Sequence, residues 1–350
     1  MATIAANTGP ARNYPLNCWW VAAFADEVGR TPLARWLLDT PVVLYRTEAG
    51  DVVALEDRCP HRQAPLSSGK IEGDAIQCGY HGFEFAPDGR CQRVPSMNGP
   101  APIRVETFPV REEGLLVWIY LGDKAVIDDV PPPPKFDWMT DPAFNARKGS
   151  MEIAANYLLL KENVLDLTHL GYVHESSFGI LDFVNPPKVT TEGDVVMYRQ
   201  AFERSPLPAA YAIPLGFEPG KIWTRVGTGK SFSPASHESE VAFFDPDQPD
   251  NCNGQVCFAH LTTPIDATSM LYFYVVGRDM MNDDATMDHF AGLLVHGFKE
   301  DEEILVKVQQ TISRTPRRGS TGERSVKADA AGVEARRAVD RWMARETIAD

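Results

Sequence analysis

Cys59-Pro-His61 and, after sixteen intervening residues, Cys78-Gly-Tyr-His81 form the stretch whose reading decides the architecture of this 350-residue chain. Each short loop offers one thiolate and one imidazole. A zinc ion could accept the same four donors, but zinc fingers group like with like, as C-x₂₋₄-C followed by H-x₃₋₅-H. Two mixed loops suit instead a [2Fe–2S] centre in which two thiolates hold one iron and two imidazoles hold the other. Pro60 and Gly79 are turn residues that present such donors at loop tips. Four merely structural, buried side chains are the competing reading.

Around these loops the chain reads as short strands. Residues 40–57 form a hairpin about the Glu48-Ala-Gly-Asp51 turn, and further strands are expected at Phe83–Phe85, Ile103–Val105 and Leu115–Ile119. Pro131–Pro134 is stiff and extended and marks a boundary, giving an all-β domain over 1–130 and a second domain over 131–350. The second has helical periodicity over about 152–170, strand-like runs over 188–278 (among them Val256–Thr263 and Met270–Val276), and helices over 287–313 and 332–346. The polar segment 314–331 reads as a loop. An α+β layout follows, an antiparallel sheet with helices packed on it.

Composition narrows the function. The chain is 44% hydrophobic and 23% charged, ordinary for a globular protein, and its net charge of −14 argues against nucleic acid or an anionic membrane as partner. Its apolar runs, such as Leu271–Val276, are too short to span a bilayer. Cys18, Cys91, Cys252 and Cys257 form no spaced framework, so reduced thiols in a cytoplasm are expected.

A second metal site is suggested by Asn163-Val-Leu-Asp166-Leu-Thr-His169-Leu-Gly-Tyr-Val-His174. Five residues on an unbroken helix set two side chains roughly 140° apart, so the helix must end or distort, with Gly171 the expected place. Alone, such a pair is more often unrelated, but Asn163 and Asp166 share a drifting stripe with His169. Later, Leu294, Phe298, Asp301, Leu305, Val308 and Ile312 recur at helical spacing, an apolar face with a carboxylate at its centre. Glu300 and Glu302 fall about 100° to either side and Glu303 points away, so these three are expected in solvent. An acidic first turn would explain Asp301 if the helix began near Glu300. Otherwise His169, His174 and Asp301 complete the two-histidine, one-carboxylate set of mononuclear Fe(II) oxygenases, which leaves positions open for O₂.

Taken together, C-x-H-x₁₆-C-x₂-H and N-x₂-D-x₂-H-x₄-H resemble the oxygenase component of the Rieske non-haem iron oxygenases over nearly the whole chain. Within that family the resemblance is to the vanillate O-demethylase and dicamba monooxygenase group. Asn17–Phe24, Asn163–His169 and Ala328–Arg337 are similar to that group's opening, iron motif and C-terminal helix entry. The resemblance implies a Rieske domain with ligands Cys59, His61, Cys78 and His81, then a helix-grip catalytic domain with iron on His169, His174 and Asp301. It further implies a homotrimer in which one subunit's cluster feeds the next subunit's iron. Asp166, with Asn163 beside it, would be the catalytic bridging acid, its carboxylate accepting from His169 and from His81 of the partner subunit; a local cap or pairing is the alternative for Asp166. High-potential Rieske proteins carry an additional cysteine pair; Ala64 and Tyr80 stand there, which implies a potential near the low end of the range, about −150 mV.

No G-x-G-x-x-G is present, and Gly227-Thr-Gly-Lys-Ser231 lacks the first glycine of a Walker loop, Thr224 standing there; it reads as a turn. Electrons must therefore come from a separate NAD(P)H-dependent reductase, ferredoxin- or flavin-linked. The expected substrate is a small aromatic acid in an apolar pocket with one or two fixing groups. His260, which shares a strand face with Val256, Phe258 and Thr262, and His237 are the candidates; hydrogen-bonded core histidines are the alternative for both. Loops over about 175–250 are expected to shape the pocket. O-demethylation of a methoxybenzoate such as vanillate is the leading function, ring hydroxylation of an aromatic carboxylate the second, and electron transfer without catalysis the third.

Overall fold

The computed structural model describes residues 12–97, 99–177, 179, 186–207, 209–314 and 323–347. The first third folds as strands joined by loops and two single 3₁₀ turns (Leu66–Ser68 and Pro95–Met97): β1 Trp19–Phe24, β2 Leu33–Leu37, β3 Thr40–Arg46, β4 Val52–Glu56, β5 Lys70–Glu72, β6 Ala75–Gln77, β7 Glu84–Phe85, β8 Cys91–Arg93, β9 Val110–Glu113 and β10 Leu116–Tyr120. They form three small sheets, ordered β1-β10-β9, β2-β3-β4 and β5-β6-β7-β8. The hairpin at 40–57 is present, with β3 and β4 paired from Val42↔Glu56 to Arg46↔Val52. Ile103–Val105 forms no strand; Arg104 makes an isolated bridge to Arg90.

The remainder is built on β11 Asn145–Ile153, α1 Tyr157–Leu165, α2 Leu170–Val173, β12 Lys188–Glu192, β13 Val195–Pro206, α3 Ala209–Ala212, β14 Ile222–Ser233, β15 Ser236–Phe244, β16 Cys252–Asp266, β17 Ser269–Arg278, α4 Asp284–Arg314 and α5 Ala330–Thr347. Seven strands make one antiparallel sheet in the order β11-β17-β16-β15-β14-β13-β12. Helices pack on it, as the α+β reading expects. Gly227–Ser231 is not a turn: it lies inside β14, where Gly227 pairs with Gln200 and Val241. Lone glycines read as turn signals, but here cross-strand neighbours on both sides hold the backbone extended.

Two cores form. Val43, Tyr45, Leu55, Leu66, Ile76 and Phe85 close around Cys59 and Cys78. The larger core joins β1 and β10 to the seven-stranded sheet: Trp20 packs edge-on against Tyr157 with ring centroids 5.5 Å apart, and the Thr263 hydroxyl donates to the Val21 carbonyl at 2.7 Å. Truncating a buried aromatic such as Trp20 costs about 3–5 kcal/mol, so this seam fixes the cluster-bearing sheets against the larger sheet. Among the described residues no helix is long and apolar enough to cross a membrane.

Candidate active site

The two cluster loops share one backbone design. The Cys59 N–H donates to the Ala64 carbonyl and the Gln63 N–H to the Cys59 carbonyl, both at 2.8 Å. Cys78 repeats the pattern with Phe83 (2.8 Å) and Gly82 (3.0 Å). Gln63 and Gly82, each four residues past its cysteine, take the left-handed conformation (φ 62° and 71°) that reverses the chain. Both thiols are thereby turned inward, 2% and 1% exposed, while His61 and His81 stand at the surface with rings 4.6 Å apart. Burial, with the neighbouring Cys78 thiol, pushes Cys59 up to about 11, so cluster binding must displace a tightly held proton. A buried thiol pair beneath an exposed imidazole pair is the donor set of a Rieske [2Fe–2S] centre.

The second site depends on a helix break. Asn156 caps α1, its side chain accepting from the Leu158 N–H at 2.9 Å, an interaction worth about 1 kcal/mol. The helix ends at Asp166, not at Gly171: Asp166 is extended (ψ 98°), and its Oδ1 accepts from the Thr168 N–H and hydroxyl at 2.9 and 2.7 Å. The aspartate thus stops one helix and starts the next turn, Leu167–His169, followed directly by α2. Residues 152–153 belong to β11, so the helix is shorter than expected at both ends.

That break brings His169 and His174 together. Nε2 of each lies 3.5 Å from Asp301 Oδ1, and the three donor atoms all lie within 4.8 Å of one another. The His169 Nδ1 position is taken by the Asp166 backbone carbonyl. This corrects the expectation that the Asp166 carboxylate accepts from His169; that carboxylate caps Thr168 instead. Asn163 Nδ2 donates to Asp301 Oδ1 at 3.0 Å, while Asn163 Oδ1 is buried without a hydrogen-bond partner. Burial pushes Asp301 up to about 6, with His169 pulling the other way, and lowers both histidines. Two near-neutral imidazoles and one carboxyl facing each other, beside an orphaned amide oxygen, fit a divalent cation with oxygen and nitrogen ligands.

α4 begins at Asp284, nearly five turns before Asp301, so an acidic first turn does not explain that residue. Leu294, Phe298, Asp301 and Leu305 are buried as the periodicity predicts, but Gln309 replaces Val308 and Ile312 on the buried stripe, Ile312 being 50% exposed where the helix outruns the sheet. Glu300 is not in bulk solvent either. It accepts from His174 Nδ1 (2.9 Å) and from the hydroxyls of Ser176 and Ser177, and these donors hold its carboxyl below the usual range against the opposing pull of burial. Helical angle alone could not reveal a partner arriving from another segment.

A cavity of about 130 Å³ runs from this triad along the inner face of the sheet. Among the described residues strands line it, including Tyr198, Phe202, Arg225 and Phe258, where loops over about 175–250 are expected; 178, 180–185 and 208 of that segment lie outside the described residues. His260 is in its wall, with Nδ1 against the Tyr272 hydroxyl at 2.7 Å; burial lowers its ring to about 3. His237 lies behind it, fully buried, stacked on His260 and Tyr198, with neither ring nitrogen hydrogen-bonded. Trp223 packs on Phe217 away from the cavity. Arg225 also lines the cavity, and no sequence motif marks it. The signal was the inward phase of Trp223-x-Arg225-x-Gly227, hidden by reading the glycines as a turn.

The Rieske [2Fe–2S] domain family matches residues 18–109, and the vanillate O-demethylase oxygenase C-terminal domain family matches residues 153–345. The oxygenase component of dicamba O-demethylase from Stenotrophomonas maltophilia is 34% identical over 78% of this chain and 80% of its own length. A vanillate O-demethylase oxygenase subunit from Pseudomonas sp. (strain HR199) is 29% identical over 95% and 96%. The crystal structure of dicamba monooxygenase bound to 3,6-dichlorosalicylic acid superposes with a TM-score of 0.86 at 29% identity, covering 95% of this chain and 98% of that one.

Proposed function

The chain belongs to the Rieske non-haem iron oxygenases, in the vanillate O-demethylase group, and from that premise we propose that it is the terminal oxygenase that O-demethylates a methoxybenzoate such as vanillate. As an oxygenase component it uses O₂ and carries a [2Fe–2S] cluster and a mononuclear iron. The observation that carries the proposal is the His169, His174 and Asp301 triad in the wall of a cavity lined mostly by apolar side chains.

These three residues would hold the iron, which when bound supplies open positions for O₂ and takes up electrons singly. With each Nδ1 engaged, by the Asp166 carbonyl and by Glu300, each imidazole presents Nε2 as its ligand atom. Asn163 steadies the carboxylate. Phe258, Leu294 and Phe298 in the cavity wall sandwich an aromatic ring and exclude water. His260, kept neutral by burial and held at Nδ1 by Tyr272, leaves Nε2 to orient the ligand. O₂, two electrons and two protons convert the methoxy carbon to a hemiacetal and release one water; the hemiacetal collapses to a phenol and formaldehyde.

Electrons come from a separate NAD(P)H-linked reductase and cross from the cluster of one copy to the iron of the next in a homotrimer. Exposed imidazoles at His61 and His81 support such an exit, and Asp166, with Oδ1 committed to Thr168, has Oδ2 available to an incoming ring. The four cysteines outside the cluster loops form no disulfide, which suits a reducing cytoplasm. The test is formaldehyde release with a reductase, NADH and O₂ across hydroxylated and methoxylated benzoates. One formaldehyde per NADH is the expected result; ring-hydroxylated product without formaldehyde would sink the demethylase assignment.

A further inference from the structure

Five glycines stand inside strands of the seven-stranded sheet: Gly149 in β11, Gly227 and Gly229 in β14, Gly254 in β16 and Gly277 in β17. A glycine weakens a strand and gives it no side chain to pack, so each position calls for a reason. The protein itself supplies one for four of them. A Cβ would fall 2.2 Å from the Tyr274 hydroxyl on Gly149, 2.1 Å from the Tyr198 ring on Gly229 and 2.7 Å from the Trp138 ring on Gly277. Gly254 has a positive φ of 143°, which side chains rarely adopt. Gly227 has none of these reasons. Its φ is not positive, and it pairs in regular register with Gln200 on one side and Val241 on the other, so no bulge requires it. Among the described residues the nearest atom to a Cβ there is the Gln200 carbonyl oxygen, at a comfortable 3.8 Å.

What Gly227 does face is the cavity, whose wall it shares with Val241, Tyr198 and Phe202. The ladders on both sides take up its backbone groups, so it offers a ligand only a gap over bare backbone. That gap is one residue wide, roughly 7 Å along the strand by about 5 Å between strands, which admits a branched alkyl group but not a ring lying flat. Register puts it away from the triad. Ser231, His237 and His260 lie in one cross-strand row, and Phe298, one turn before Asp301, packs on His260 at 5.8 Å. Gly227 stands four residues from Ser231 along β14, roughly 13 Å by the rise of a strand. We propose that Gly227 determines specificity: the gap above it receives an apolar substituent on the substrate's aromatic ring, on the side remote from the carbon that is oxidised. The proposal rests on the cavity being the substrate site and deepens that reading by naming the substrate's shape, an aromatic acid bulkier than a simple methoxybenzoate.

The test is direct binding to the iron- and cluster-loaded protein, which does not depend on turnover. Isothermal titration with 4-methoxybenzoate and its 2- and 3-isopropyl derivatives is compared for the parent, Gly227→Ala and Gly227→Val. The parent should bind at least one isopropyl acid about 10–100-fold more tightly than the unsubstituted one. Gly227→Val fills the gap and should reverse that order while leaving the unsubstituted acid nearly unaffected, with Gly227→Ala in between. Thermal midpoints of both variants should hold or rise, because a side chain suits a strand better than glycine does, whereas Gly229→Ala should lose stability by displacing Tyr198. The assignment fails if the parent prefers neither isopropyl acid or if Gly227→Val keeps the parent's order. It fails equally if both Gly227 variants lose stability and weaken all three ligands alike, which is what a purely structural glycine would do. Binding of none of the three acids would overturn the substrate reading of the cavity and this proposal with it. Absence of formaldehyde with the size reversal intact would refute demethylation and leave the gap's role standing.

Discussion

The two metal-binding regions are built in opposite ways. At the cluster, four donors sit on two loops of one small β unit, each loop closed by its own backbone hydrogen bonds. At the triad, two donors flank the short α2 beyond the break at Asp166 and the third comes from α4, more than a hundred residues later, so the site exists only once these segments pack together. Local loops can be read from spacing; a site assembled by packing leaves only fragments of itself in the sequence.

The sharpest way to separate the regions is to remove one at a time. Asp301→Ala should lose the mononuclear iron and abolish turnover while keeping the cluster's electron paramagnetic resonance signal; Cys78→Ser should do the reverse. Mixing the two dead variants under conditions that exchange subunits should recover activity if clusters serve a neighbour's iron. A mixture that stays inactive despite verified exchange would refute electron transfer between subunits.

A smaller effect probes what surrounds the triad. Glu300→Gln removes the carboxylate that orients His174 and should weaken iron binding by about 10–100-fold, measured by chelator competition, with the cluster's redox potential unmoved. Unchanged iron affinity would reduce Glu300 to a surface anchor for Ser176 and Ser177. Milder still is the response to acid. Iron must displace the proton on Asp301, whose iron-free carboxyl titrates near pH 6, so affinity should fall about tenfold per pH unit below that value and stop depending on this group above it. In the iron-free protein the sign reverses. The raised carboxyl means the folded state binds the proton more tightly, so Asp301's contribution to stability falls as pH rises from the ordinary carboxylate range through 6. Asp301→Asn should flatten that part of the profile.

The contrast also explains what could be read beforehand. The hairpin at 40–57, the paired turns at Cys59 and Cys78 and the buried stripe of α4 from Leu294 to Leu305 depend on neighbours close in sequence, where turn chemistry and periodicity act directly. The break at Asp166 was misplaced because glycine is the stronger local signal, whereas an aspartate becomes a stop only by finding Thr168. Glu300 looked solvated because its partners lie in another segment. Gly227–Ser231 looked like a turn because two pairing strands were out of sight.

Sequence alone determined which donors exist, that they come as a mixed Cys/His pair of loops and a histidine-carboxylate set, and which helix face is apolar, since these follow from residue chemistry and short-range geometry. Tertiary structure alone decided that the triad's donors meet, that Glu300 and a backbone carbonyl orient the two rings, and that residues from β13, β14 and β16 line one cavity with them. Those facts depend on which segments pack together, and the free energy of that packing is spread over the whole core, beyond any single motif.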